Sequence, residues 1–192
     1  GAAAGFLLEG PAFSAALGLA SGAFQYGVAL GDPLPDRVII WTRVTPDPGA
    51  TPGSGKGAPT AVRWRVSRRR DLADPVASGT FTTDPASDHT VKIDVTGLSP
   101  GTTYHYGFTV GTEDSPVGHT RTAPAAGAAP ARLRFGLVSC SNYAAGWFVP
   151  YRYLASRCDL DFVLHVGDYT YEYGDGQYGR ARPLDPPVET TT

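Results

Sequence analysis

Cys140, Asp168 and Tyr171 have the types and spacing that suit metal chemistry. The run Gly167-Asp168-Tyr169-Thr170-Tyr171 begins with a residue that lets the backbone turn sharply. An aspartate placed just after that turn projects a carboxylate whose two oxygens can bridge two cations. A tyrosine three residues on can bring its phenolate to the same ion, and phenolate is a hard ligand that favours ferric iron over zinc or magnesium. Cys140 would add a thiolate. Each residue also has a plainer reading. Asp168 could cap a helix, Tyr171 could pack as an aromatic ring, and Cys140 could pair with Cys158, the other cysteine of the sequence. A disulfide needs Cα atoms within roughly 7 Å. Cys140 ends one predicted strand and Cys158 precedes the next, at opposite edges of the sheet of a β-α-β unit, which favours the ligand reading for Cys140 and a small buried apolar role for Cys158.

The elements that must position these residues can be read from the apolar pattern. Residues 132–139 (RLRFGLVS) end in an apolar run suited to a buried strand. Residues 148–157 (FVPYRYLASR) carry Phe148, Tyr151 and Leu154/Ala155 at helical spacing, with Pro150 tolerable in the first turn. Residues 159–166 (DLDFVLHV) form a second apolar strand. Strand, helix and strand within some thirty residues predict a βαβ unit with parallel strands. Ligands of such sheets gather at the carboxyl ends of the strands, where Cys140 and the segment 167–171 fall. His165, inside the second strand, reads as a packed and hydrogen-bonded histidine. Asn142 and Arg152 read as capping or surface residues, and Tyr169 and Tyr173 as packing.

Upstream, the period changes to that of strands. Residues 37–44, 61–67, 76–83, 90–95 and 103–110 carry β-branched and aromatic residues between Pro-, Gly-, Asp- and Ser-rich turns. In residues 61–67, Val62, Trp64 and Val66 share one face and Arg63, Arg65 and Ser67 the other. The fold expected is mainly β: an N-terminal fibronectin III/Ig-like β-sandwich, followed by the first βαβ unit of an α/β domain. Leu98-Ser99-Pro100-Gly101-Thr102-Thr103-Tyr104 resembles the Leu-x-Pro-Gly-Thr-x-Tyr signature of fibronectin type III modules. There Pro100-Gly101 makes the turn, Leu98 fills the core and the Tyr104 hydroxyl returns to the backbone as a tyrosine corner. Residues 51–59 (TPGSGKGAP) are expected to be a flexible loop. His89, His105 and His119 belong to the sandwich without metal-ligand clustering.

Residues 123–131 (APAAGAAPA) lack charge and large side chains and read as a linker. The expected division is 1–23 as an export-signal remnant, 24–122 as sandwich, 123–131 as linker and 132–192 as a partial α/β domain. The first stretch holds one charge, Glu9, and with Pro11 is a poor membrane span. The sequence has no methionine, so cut ends are expected at Gly1 and after the loop-like residues 183–192. A net charge of −2 gives no basis for nucleic-acid binding.

Residues 167–174 (GDYTYEYG), preceded by residues 159–166 and by Val138-Ser139-Cys140-Ser141-Asn142-Tyr143, resemble the PhoD-like alkaline phosphatases. Tyr26-Gly27-Val28-Ala29-Leu30-Gly31-Asp32-Pro33 and Ile40-Trp41-Thr42-Arg43 are similar to that family's N-terminal sandwich. The resemblance implies that residues 132–192 are a partial metallophosphatase domain, the start of an α/β metallophosphoesterase domain, in a secreted, periplasmic or cell-wall enzyme exported by the twin-arginine route. It implies hydrolysis of phosphate monoesters and diesters by a metal-activated water, without a side-chain nucleophile, and ferric iron and calcium as cofactors. Cys140 and Tyr171 would bind iron, and Asp168 would bridge iron to calcium. The family completes its site with acidic, Asn and His residues further on, so the chain is expected to be an inactive fragment. It is also expected to be monomeric, without a membrane span. The alternative is an extracellular fibronectin-like adhesion module with a non-catalytic remnant.

Overall fold

The computed structural model describes residues 22–142, 148–157 and 159–171. Two compact units divide the chain, Gly1–Ala128 and Ala129–Thr192. The described part of the first unit holds strands β1 (Val28–Gly31), β2 (Arg37–Arg43), β3 (Thr60–Ser67), β4 (Ala77–Thr83), β5 (Thr90–Thr96), β6 (Thr103–Val110), β7 (Glu113–Asp114) and β8 (Gly118–Arg121). One antiparallel sheet has the order β1-β2-β5. The other runs β4-β3-β6, with β7 and β8 both pairing the far side of β6.

Alternation drives the packing of the two sheets. Val38 and Ile40 on β2, Val91 and Val95 on β5, Val62 and Val66 on β3, and Tyr104, Tyr106 and Phe108 on β6 are buried in one core. This is the sandwich that the strand pattern predicts. The turn before β6 behaves as expected: Leu98 is buried in the core, and the Ser99 N–H donates to the Tyr104 hydroxyl oxygen at 2.9 Å. Burial pushes the Tyr106 hydroxyl well above the ordinary phenol range. Strands β1, β7 and β8 escape the sequence pattern because they run for four, two and four residues, too short to establish a period.

Three expectations for this unit need correction. Residues 51–59 are not a free loop. The Gly53 N–H donates to Asp88, whose carboxylate also accepts from the buried Arg43 guanidinium, and the His89 ring bonds the Lys56 carbonyl at 2.8 Å. Polar side chains on the neighbouring turn therefore hold a segment that has few anchors of its own. Ser67 is buried rather than outward, because its hydroxyl closes the following loop onto the Ala73 carbonyl at 2.6 Å. The sandwich also begins before residue 24. Ala23 and Phe24 are buried in the core, the Ala23 N–H donates to Glu113, and the Thr45 N–H donates to the Ala23 carbonyl. The export-signal reading of residues 1–21 lies outside the described residues.

In the second unit, β9 (Phe135–Val138), α1 (Val149–Ser156) and β10 (Phe162–His165) form the βαβ unit, with β10 parallel to β9 and His165 opposite Val138. Gly136 admits the helix: a Cβ there would meet the Leu154 side chain at 2.7 Å. Phe135 and Phe162 stack with ring centroids 5.2 Å apart. β10 is shorter than the eight residues expected, although single backbone bonds from Asp161 N–H to the Arg134 carbonyl and from Val166 N–H to the Val138 carbonyl extend the pairing by one position at each end. Asp161 accepts from the Arg134 N–H, and Asp159 pairs with Arg134 and Arg157, which hold its carboxyl well below the usual range. These bonds fix the entry to both strands. No described helix is long and apolar enough to cross a membrane.

Candidate metal centre

The ladder between β9 and β10 does not stop at the strand ends. The Val166 N–H donates to the Val138 carbonyl at 2.9 Å, Cys140 N–H to Gly167 O at 3.2 Å and Ser141 N–H to Asp168 O at 2.8 Å. These bonds carry the pairing around a bend on each chain segment. Cys140 has φ 64° and Asp168 φ 51°, both in the left-handed region that non-glycine residues seldom occupy. Gly167, with φ 122°, makes the turn that delivers Asp168. Two neighbouring residues with this backbone, on two adjacent loops, bring their side chains to one place.

There the three expected residues meet. The Cys140 thiol lies 3.6 Å from Asp168 Oδ2, and the Tyr171 hydroxyl donates to the same oxygen at 3.0 Å. Cys140 and Asp168 are exposed and Tyr171 is half-buried, so the cluster opens to solvent. Cys140 is a free thiol. Its hydrogen bond to Tyr171, the partial removal of that ring from water and the Asp168 carboxylate hold the phenol proton well above the ordinary tyrosine range. A cation among these three groups reverses that balance, because it favours thiolate and phenolate alike. The donor set therefore fits an ion that takes one sulfur and hard oxygens together. Among the described residues, no group of three or more His, Cys, Asp and Glu side chains is placed to hold a metal, so the tyrosine is what makes this set three-membered.

A second polar cluster lies against the first. Ser141 Oγ, the Tyr151 hydroxyl on α1 and His165 Nε2 on β10 are in mutual hydrogen-bonding contact. Ser141 lies 2.9 Å from the imidazole and Tyr151 lies 3.0 Å from it. The Gly167 N–H donates to His165 Nδ1 at 3.4 Å, and the Tyr169 ring meets the imidazole edge-on. His165 is thus the hydrogen-bonded strand histidine expected from sequence, whereas Tyr169 meets it edge-on but stands 72% exposed rather than packed as expected. Ser141 and Tyr151 are new members. A hydroxyl-bearing ring on the sheet side of a helix, opposite a strand histidine, is the signal that could have found them. Cys158 and Tyr173 lie outside the described residues.

Residues 12–124 match the description "PhoD-like phosphatase, N-terminal domain", and residues 135–191 match "PhoD-like phosphatase". The chain belongs to the PhoD-like phosphatase family. It is 41% identical over 165 residues to alkaline phosphatase D of Bacillus subtilis (strain 168), covering 86% of this chain and 28% of that protein. The solved structure "Structure of PhoD" superposes with a TM-score of 0.73 at 40% identity, over 80% of this chain and 29% of the other. The chain thus spans less than a third of the length of either relative. Within the PhoD-like match, the sandwich lies in the N-terminal description, while β9, α1, β10 and all three clustered residues lie in the second.

Proposed function

We propose that Cys140, Asp168 and Tyr171 form the iron side of a metal-dependent phosphoesterase centre that hydrolyses phosphate mono- or diesters. One observation carries the reading: the thiol and the phenol converge on a single carboxylate oxygen, Asp168 Oδ2, at the carboxyl ends of two parallel strands. Cys140 and Tyr171 would hold ferric iron. Asp168 would share its carboxylate between that ion and calcium. Bound cations supply positive charge for the phosphoryl oxygens and acidify the attacking water.

The protein's own part is to hold the donors. The left-handed turns at Cys140 and Asp168 aim both side chains to one side of the strand ends, and Tyr171 reaches back from the following loop. Cys140 and Asp168 are exposed, so their side chains can be reached from solvent. No side-chain nucleophile is required. The protein is proposed to be exported by the twin-arginine route and to act as a monomer on phosphate esters outside the cytoplasm, without binding nucleic acid. The phosphatase match over residues 135–191 weighs against the adhesion-module alternative.

The test uses the full-length protein that contains this chain. Its hydrolysis of p-nitrophenyl phosphate and bis-p-nitrophenyl phosphate is measured before and after chelation, and in Asp168→Asn. Loss with chelator, recovery with iron and calcium, and a fall of about 10³-fold or more in Asp168→Asn are expected. Full turnover by the chelated protein or by Asp168→Asn would remove the reading.

A further inference from the structure

Among the described residues, His165 touches the loop after Cys140, the loop that carries Asp168, and α1. Its Nδ1 accepts the Gly167 N–H, so the proton of the neutral ring resides on Nε2, which faces Ser141 and Tyr151. One imidazole therefore grips the residue before Asp168, the residue after Cys140, and α1. The Ser141 hydroxyl also contacts Tyr151 directly, so the three polar groups close into a ring. The Tyr151 ring lies near-parallel to the imidazole and the Tyr169 ring meets it edge-on.

Such a clamp answers a need created by the backbone. Cys140 and Asp168 both hold left-handed conformations without being glycine, and such conformations persist only where the surroundings over-determine them. Two backbone bonds between the loops, Cys140 N–H to Gly167 O and Ser141 N–H to Asp168 O, supply part of that constraint. The imidazole braces both loops from one side, to a helix whose Leu154 is seated in the space left by Gly136.

We infer that His165, acting through Ser141, Tyr151 and the Gly167 N–H, is a positioning residue that sets the distance and angle between Cys140 and Asp168 for metal. This rests on the metal reading of those two residues. It assigns His165 no contact with metal or substrate. Partners of this kind around a metal site usually tune metal affinity by about 10- to 100-fold.

The experiment uses the full-length protein loaded with ferric iron and calcium. Three quantities are read: the visible charge-transfer band, iron affinity by competition with a chelator, and the melting temperature of the metal-free protein. His165→Phe keeps a ring between Tyr151 and Tyr169 but removes both nitrogens. It should shift the band and weaken iron binding about 10- to 100-fold, with the metal-free melting temperature little changed. Ser141→Ala and Tyr151→Phe should move the band the same way by less, and His165→Gln should recover part of the affinity. An unchanged band and affinity in His165→Phe, alongside loss of the band in Cys140→Ser, overturns the inference and leaves the metal reading intact. An unchanged band in Cys140→Ser removes the metal reading itself, and the inference with it. Should His165→Phe fail to fold, Ser141→Ala and Tyr151→Phe decide: no band shift in either overturns the inference.

Discussion

At Asp168 a single carboxylate oxygen accepts from a thiol and a phenol on two different loops. Tyr171→Phe deletes only the phenol oxygen, so full-length protein carrying it should keep iron but lose or shift the visible band, read by absorption against iron content. Cys158→Ser removes no proposed ligand and should leave band and iron content unchanged. Another carboxylate governs acid stability. Asp88 accepts hydrogen bonds from the buried Arg43 guanidinium and from the Gly53 N–H, and the Arg43 bond foremost holds its carboxyl below the ordinary 3.8. The folded value is depressed, so this contribution is present above about pH 3.8 and is lost as pH falls through the folded value. Urea midpoints of the chain and of Asp88→Asn should differ near neutral pH and converge as the pH falls below the ordinary carboxylate value. A gap that stays constant with pH would show that Asp88 stabilises by other means. The ligand candidates are legible in sequence because Gly-Asp-x-x-Tyr carries its chemistry in one short run, and Cys140 closes the neighbouring apolar strand. The contact of Ser141 with Tyr151 is not legible, because it joins a loop to a helix, and Tyr151 shows itself in sequence only as an apolar position of that helix.

Among the elements, the turn between β5 and β6 shows how a local motif fixes a long-range contact. The Tyr104 ring is 1% exposed, and its hydroxyl is the partner of the Ser99 N–H. Tyr104→Phe keeps the ring in the core and strands that N–H, so chemical denaturation should show a loss of about 1–2 kcal/mol. A loss under a few tenths of a kcal/mol would mean that water replaces the bond. The long strands are readable from alternation because each buries alternate side chains in one core. The exits and edges are not. Residues 51–59 look free from composition, yet Asp88 and His89, more than thirty residues away, pin them. Before β10, Asp161 keeps its backbone bond to the Arg134 carbonyl and adds a side-chain bond to the Arg134 N–H, while Asp159 turns to ion pairs with Arg157 and Arg134.

Over the whole molecule, the two units rest on different foundations. The sandwich owns a closed core fed by both sheets. In the second unit, Phe135, Leu137, Phe162, Val163, Leu164 and Val166 stand exposed on a two-stranded parallel sheet, a composition typical of sheets covered on both faces. Residues 124–130 between the units are exposed. Limited proteolysis of the 192-residue chain should therefore cut first within residues 124–131 and spare residues 51–59, leaving the sandwich as the resistant product on mass spectrometry. First cleavage within residues 51–59 would contradict the pinning by Asp88 and His89. The metal centre itself is tested most directly by X-ray absorption at the iron edge of the full-length protein. A sulfur neighbour of iron should be present in the wild type and in Cys158→Ser, and absent in Cys140→Ser. Iron with no sulfur neighbour in the wild type, or one that persists in Cys140→Ser, would contradict the assignment of Cys140 as a metal ligand.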